Sequence, residues 1–144
     1  MGYGFPAAIG AQFGRPQEDV WAIVGDGGFQ MTMCELATAA LNRLPVKIIV
    51  MNNRYLGMVR QWQELFYDKN YSATPLSTSP DFVKLAEAYG ALGLRATKPS
   101  EVVPTIKKAL ASKKPVVMDF VVDPEEGVYP MVPAGASIDN MILL

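Results

Sequence analysis

Histidine is missing from all 144 residues of the chain. That absence excludes a serine-type triad with a histidine base, histidine-ligated zinc and imidazole acid–base catalysis from within this chain. Cysteine occurs once, at Cys34. No intramolecular disulfide or CxxC pair can form, which fits a reducing, cytoplasmic context. Cys34 falls on an expected helix and is read as a small core residue rather than a catalytic thiol. Charge is also scarce, with 19% charged residues, 13 basic against 14 acidic and a net charge of −1. No basic patch stands out, so nucleic acid is not an expected partner. No apolar run approaches the ~20 residues of a membrane span. The first residues also lack the basic start and continuous apolar core of a signal peptide. Hydrophobic residues make up 50% of the chain, enough for one domain with a real core. So apolar a composition also predicts surface buried against other protein.

The most informative stretch runs from Gly25 to Asn53. The apolar run Val20–Val24 leads into Gly25-Asp26-Gly27-Gly28, and Val46–Met51 leads into Asn52-Asn53. Met31 to Leu44 between them reads as a helix with Met31, Cys34, Leu36, Ala37, Ala40 and Leu41 on one apolar face. A strand–helix–strand crossover makes the two strands parallel and is almost always right-handed. Asp26 and Asn53 are thereby expected at the same carboxyl edge of the sheet, where open α/β sheets bind ligands. A carboxylate with an amide oxygen is a hard, oxygen-only pair. It suits Mg²⁺, which takes few protein ligands and completes its octahedron with water and phosphate oxygens. The helix N-terminus is expected to favour a phosphate at the same place, with Gly27 and Gly28 letting the backbone approach it. The stretch therefore reads as a site for a Mg²⁺-bound diphosphate.

The rest of the chain alternates in the same way. Pro6 opens a first helix, and Gly14–Asp19 forms a polar turn. Leu56, Val59, Trp62, Gln63, Leu65 and Phe66 repeat at helical spacing after Gly57, which on residues alone makes Trp62 a core side chain. Asp68–Thr78 is a loop. Ser79 is expected to cap a helix with Phe82, Leu85, Ala86 and Tyr89 inward, stopped by Gly90. Leu92–Ala96 is a short strand. Ser100 is expected to cap a helix with Val102, Val103, Ile106, Ala109 and Leu110 inward. Pro115–Val122 is a buried strand. Alternating strands and helices predict an α/β three-layer sandwich, a parallel sheet with helices on both faces. Residues 1–122 form that domain, and 123–144 form an irregular apolar tail that must pack on something.

Gly25-Asp26-Gly27 followed by Asn52-Asn53 at this spacing resembles the thiamine-diphosphate-binding motif. Leu36-Ala37-Thr38, Leu44-Pro45-Val46-Lys47 and above all Asn53-Arg54-Tyr55-Leu56-Gly57-Met58-Val59-Arg60-Gln61-Trp62 resemble the catalytic large subunit of acetolactate synthase, over essentially the whole chain. The resemblance implies the C-terminal cofactor domain of that enzyme. Asp26, Asn53 and the Tyr55 carbonyl would hold Mg²⁺. Gly25, Gly27, Gly28, Leu56, Gly57 and Met58 would lie along the cofactor. Met1-Gly2-Tyr3-Gly4-Phe5-Pro6 matches a family segment whose methionine wedges under the cofactor, so Met1 is read as a native residue of that segment. Met58, Val59 and Trp62 would shape the second-substrate and inhibitor pocket. Pro130-Met131-Val132-Pro133-Ala134-Gly135 matches a segment leading into a lid.

The implied reaction decarboxylates pyruvate and joins the remaining two-carbon unit to a second pyruvate or to 2-oxobutyrate, in branched-chain amino-acid biosynthesis. No residue of this chain is expected to act as the protonic catalyst. The activating glutamate belongs to another domain, on a neighbouring catalytic subunit, so this chain alone is expected to be inactive. FAD is expected to be held mainly outside this chain. The rest of the catalytic chain, a second catalytic subunit and a regulatory small subunit are the partners the resemblance brings in. Three other readings share some of these features. They are a different thiamine-diphosphate-dependent decarboxylase or carboligase, a Mg²⁺-dependent phosphoryl-transfer domain with Asp26 as nucleophile, and a non-catalytic structural fragment.

Overall fold

A computed structural model describes residues 1–143 of the chain. Four parallel strands, β1 (Trp21–Gly25), β2 (Lys47–Asn52), β3 (Leu92–Ala96) and β4 (Val116–Val121), form one sheet in the order β1-β2-β4-β3. The two central strands are the most buried. Val46, Ile48, Val50, Val116, Val117 and Met118 are all fully buried, as expected of parallel strands covered on both faces.

Register sorts the side chains into two layers. Ala22, Ile48 and Val117 align and face one core, with Phe5, Ile9, Phe29, Leu36 and Phe82 packed over them. That core takes α1 (Gly4–Gly14), α2 (Asp26–Gln30), α3 (Leu36–Leu41) and α5 (Phe82–Ala88). Phe29 is its keystone, edge-on to Phe82 at 5.6 Å and tilted against Phe5 at 5.4 Å. The opposite face holds Met118, Phe120 and Ala96 under α6 (Pro99–Ala111). The sandwich is thus three-layered, but among the described residues the second layer covers only the β4–β3 half. On the β1–β2 half of that face Ile23 is 71% exposed and Met51 lies open.

Several sequence expectations are corrected. In place of the single helix expected over Met31–Leu44 stand a 3₁₀ turn at Met33–Glu35 and the short α3, with a separate short helix, α2, ahead of them. Phe29 and Leu36 anchor separate turns in the core, while Gly27 and Gly28 weaken helix continuity. Met31, Cys34 and Leu41 consequently point outward, and the buried residues of α3 are Leu36 and Ala39. Cys34 is exposed, not a core residue. Asp81, rather than Ser79, caps α5, accepting from the Val83 N–H at 3.0 Å and the Lys84 N–H at 3.3 Å. The Ser79 hydroxyl instead accepts from Gln30 Nε2 at 2.7 Å. Helix α6 starts at Pro99, whose fixed φ suits a first helical position, so Ser100 lies inside the first turn. Val103 and Leu110 of α6 face outward, and Thr105 and Ala109 are its buried residues.

After β4 the tail runs irregularly, closed on itself by paired hydrogen bonds between Met131 and Ile142 at 3.1 and 2.8 Å. Leu144, the last residue of that apolar tail, lies outside the described residues. Between β2 and the loop at Pro75 lies α4 (Gly57–Phe66).

Candidate functional site

Strands β1 and β2 end level, with Gly25 opposite Met51. Asp26 follows the first strand and Asn53 the second, so the crossover delivers both to one edge of the sheet. A direct hydrogen bond joins the two strand ends: the Arg54 N–H donates to Asp26 Oδ2 at 2.9 Å. The Gly27 N–H donates to Asp26 Oδ1, also at 2.9 Å. Arg54 takes φ +61°, a left-handed conformation that costs a non-glycine residue energy and is concentrated at functional sites. This turn carries the Arg54 N–H that meets Asp26. Asn53 Oδ1 accepts from the Tyr55 N–H at 3.0 Å, so the Asn53 amide is oriented by its own turn.

Asp26 is 1% exposed. Burial pushes its carboxyl above the ordinary range, against the lowering effect of the Gly27 and Arg54 N–H groups, and the Asp119 charge adds to the upward push. A buried carboxylate raised by desolvation, with no cationic side chain bonded to it among the described residues, is suited to a cation. The donor set of carboxylate, amide oxygen and main-chain carbonyl is hard and oxygen-only, so the residues present fit Mg²⁺.

Two glycines shape the space. A Cβ on Gly57 would stand 2.8 Å from Asn53 Nδ2, so Gly57 leaves the room that the Asn53 side chain occupies. A Cβ on Gly27 would stand 2.8 Å from Leu56 Cδ2 and 3.5 Å from Met1 Cε, so the turn after β1 is the floor on which Leu56 and Met1 rest. In the intact protein, Gly57→Ala is expected to displace the Asn53 amide and weaken Mg²⁺ binding about 10–100-fold, the effect of disturbing a ligand's support. Calorimetric titration with Mg²⁺ reads this directly, and an unchanged affinity would show that Asn53 is not held through Gly57.

A cavity of about 750 Å³ opens above these strand ends. Met1, Gly25, Asp26, Gly27, Gly28, Asn53, Tyr55, Leu56, Gly57, Met58 and Val59 all line it. Trp62 does not. It is 48% exposed and lines a separate cavity of about 200 Å³ with Phe66, Tyr67 and the tail residues Met131–Ala134. The helix at the cavity is the five-residue α2, not the longer one expected, and its Gly27 N–H is already taken by Asp26.

Sequence reasoning missed three groups around the site. Asn52 Nδ2 donates to Asp119 Oδ1 at 2.9 Å, Arg95 Nε donates to Asp119 Oδ2 at 2.9 Å, and an Arg95 terminal nitrogen reaches Asp81 Oδ1 at 2.7 Å. This relay fixes the residue before Asn53 and ends at the cap of α5. Burial pushes the Asp81 carboxyl up, but the Arg95 hydrogen bond and the capped N–H groups outweigh it and leave it below the ordinary range. A lone charge inside the apolar run Val116–Val121 was the available signal. The Arg60 guanidinium stacks on the Tyr55 and Tyr71 rings at 5.3 and 5.0 Å and pairs with Glu64. Gln61 is the third, buried at 5% exposure against the tail.

Residues 1–120 match the family described as thiamine pyrophosphate enzyme, C-terminal TPP binding domain. An acetolactate synthase of Mycobacterium avium is 53% identical over 98% of this chain. A probable acetolactate synthase large subunit of Methanocaldococcus jannaschii is 48% identical over 99% of it, and the acetolactate synthase isozyme 2 large subunit of Escherichia coli is 44% identical over 99%. The chain spans only about a quarter of the length of these relatives, 24%, 24% and 26% respectively. Among solved structures, the thiamine diphosphate-dependent 4-hydroxybenzoylformate decarboxylase of Rhodococcus jostii RHA1 superposes with a TM-score of 0.79 at 31% identity, covering 88% of this chain and 24% of that one. No helix among the described residues is long and apolar enough to cross a membrane. The chain belongs to the family of C-terminal, thiamine-pyrophosphate-binding domains of thiamine pyrophosphate enzymes.

Proposed function

We propose that this domain is the cofactor-binding part of an acetolactate synthase large subunit, which decarboxylates pyruvate and joins the two-carbon unit to a second 2-oxo acid. The observation that carries the reading is the hydrogen-bonded junction of the two strand ends, with Asp26 tied to Arg54 N and Asn53 beside it. Asp26, Asn53 and the Tyr55 carbonyl would hold Mg²⁺, which would supply positive charge for a diphosphate at this edge of the sheet. Thiamine diphosphate, when bound, supplies the electron sink for decarboxylation. The chain's own part is to orient and enclose it. Gly25, Gly27 and Gly28 give the diphosphate a close floor, and Met1, Leu56, Gly57 and Met58 line the cavity along the cofactor. Met58 and Val59 border the second-substrate space, with Trp62 and the tail beyond them. FAD is held mainly by parts of the protein outside this chain. A second catalytic subunit supplies the activating carboxylate, a regulatory small subunit is a further partner, and the assembly is cytoplasmic.

The balance of the reaction with two pyruvate anions is one proton taken up, one CO₂ lost and one 2-acetolactate formed. The test is an assay of the intact protein with thiamine diphosphate, Mg²⁺ and FAD. Pyruvate is expected to give 2-acetolactate, and pyruvate with 2-oxobutyrate to give 2-aceto-2-hydroxybutyrate. Residues 1–144 alone are expected to give neither. Conversion of an aromatic 2-oxo acid to free aldehyde, with no carbon–carbon bond formed from pyruvate, would favour a decarboxylase of the kind seen in the Rhodococcus neighbour.

A further inference from the structure

Helix α4 has its polarity reversed. Met58, Val59, Trp62 and Phe66 are 45–48% exposed, and the one buried residue of the helix is a glutamine, Gln61. A glutamine at 5% exposure is costly unless both halves of its amide are satisfied. Here both are satisfied by a single residue of the tail. Gln61 Nε2 donates to the Val128 carbonyl at 3.0 Å, and the Val128 N–H donates to Gln61 Oε1 at 2.7 Å. Nε2 also lies 3.4 Å from Met131 Sδ. The side-chain amide therefore pairs with the backbone of Val128 as one strand residue pairs with another. No other side chain of similar length can do this. An ionised glutamate only accepts, and methionine offers no donor and only a weak sulfur acceptor.

The position of this contact gives it a consequence. Gln61 and the tail residues Glu126, Gly127 and Val128 all line the same cavity as Asp26 and Asn53. The tail beyond Val128 is closed on itself through Met131 and Ile142. Its other polar tie to α4 among the described residues is Arg60 to Glu125 at 3.4 Å, and Glu125 is 78% exposed, so that pair contributes little. We propose that Gln61 is the latch that holds the tail across the mouth of the cofactor cavity, a positioning residue that retains the bound cofactor without touching the reacting atoms. The inference rests on the thiamine diphosphate reading of the cavity.

The test uses the intact protein and two variants that keep the side chain's length, Gln61→Met and Gln61→Glu. Amide hydrogen exchange reports the tail, and calorimetry with thiamine diphosphate and Mg²⁺ reports retention. In both variants the Val128 amide is expected to exchange at least about tenfold faster, since its acceptor is lost or its carbonyl now faces a carboxylate. The amides of β2 and β4 keep their protection, which a general loss of fold would not allow. Thiamine diphosphate affinity is expected to fall about tenfold or more, mostly through faster release. Unchanged exchange at Val128 in Gln61→Met would overturn the latch. Faster exchange with unchanged cofactor affinity would overturn its role in retention. A wild-type protein that binds no thiamine diphosphate would instead remove the cofactor reading, and retention with it, while the exchange data would still decide whether Gln61 holds the tail.

Discussion

Replacing Asp26 by alanine in the intact protein is expected to abolish Mg²⁺-dependent binding of thiamine diphosphate, with a loss of at least about 100-fold. Asp26 is the only carboxylate among the three proposed ligands, so it supplies all of the set's formal charge. The variant is also expected to keep its fold. Truncation leaves the Gly27 and Arg54 N–H groups without their acceptor, at about 1–3 kcal/mol for each buried donor. Against that, it removes a carboxylate that burial already disfavours. The two effects oppose each other, whereas nothing replaces the lost charge in the metal site.

The same burial sets the pH dependence. Because burial raises the folded carboxyl above its ordinary value, the metal-free protein holds this proton more readily than a free aspartate does. Asp26's contribution to stability is present below the ordinary carboxylate range and is lost as pH rises through the raised value. Mg²⁺ requires the carboxylate, so its affinity is expected to fall on acidification at a higher pH than a free aspartate, near 3.9, would give. Calorimetric titrations of wild type and Asp26→Ala over a pH series measure both effects. Mg²⁺-dependent binding that survives in Asp26→Ala would remove Asp26 from the metal site.

The strand-end pair was legible because it depends on covalent order. A crossover connection makes parallel neighbours, and parallel neighbours end at one edge, so Asp26 and Asn53 had to meet once both strands were recognised. The four strands were legible for the same kind of reason, since unbroken apolar runs such as Val116–Met118 are what a doubly covered strand needs. What escaped is whatever depends on which side chain of a distant segment arrives. The Asn52–Asp119–Arg95 relay joins β2, β4 and β3. Gln61 is satisfied by the backbone of Val128, and a backbone partner leaves no trace in residue identity. The expected single helix over Met31–Leu44 failed because an apolar period was credited to one element when Phe29 and Leu36 serve separate turns. Ser79 followed by Pro80, and Ser100, have the residue types of caps, yet α5 is capped two residues later, at Asp81, and α6 begins at Pro99, before Ser100.

Gly93→Ala is expected to be among the most damaging small substitutions in the domain, at about 3 kcal/mol. Gly93 lies in β3 on the face that receives α5. A Cβ there would sit 2.6 Å from the Val83 carbonyl oxygen and 2.9 Å from Val83 Cα. Those are backbone atoms of the helix, so no rotamer change can relieve the contact. The helix must lift off the sheet, and lifting it loosens Phe82, fully buried against Phe29. It also moves Asp81, whose carboxylate both caps α5 and closes the Arg95 relay. The control for an added methyl group with nothing to strike is Gly10→Ala. Gly10 sits in the exposed stretch of α1, with nothing within 4 Å of its added Cβ. Alanine there is expected to stabilise the helix by about 0.5–1 kcal/mol. One added methyl group is thus expected to act with opposite sign at two glycines. Amide exchange of β3 and α5, read alongside thermal melting of the intact protein, measures the difference. If Gly93→Ala protects those amides as well as Gly10→Ala does, the close approach of α5 to the sheet is not what holds that helix in place.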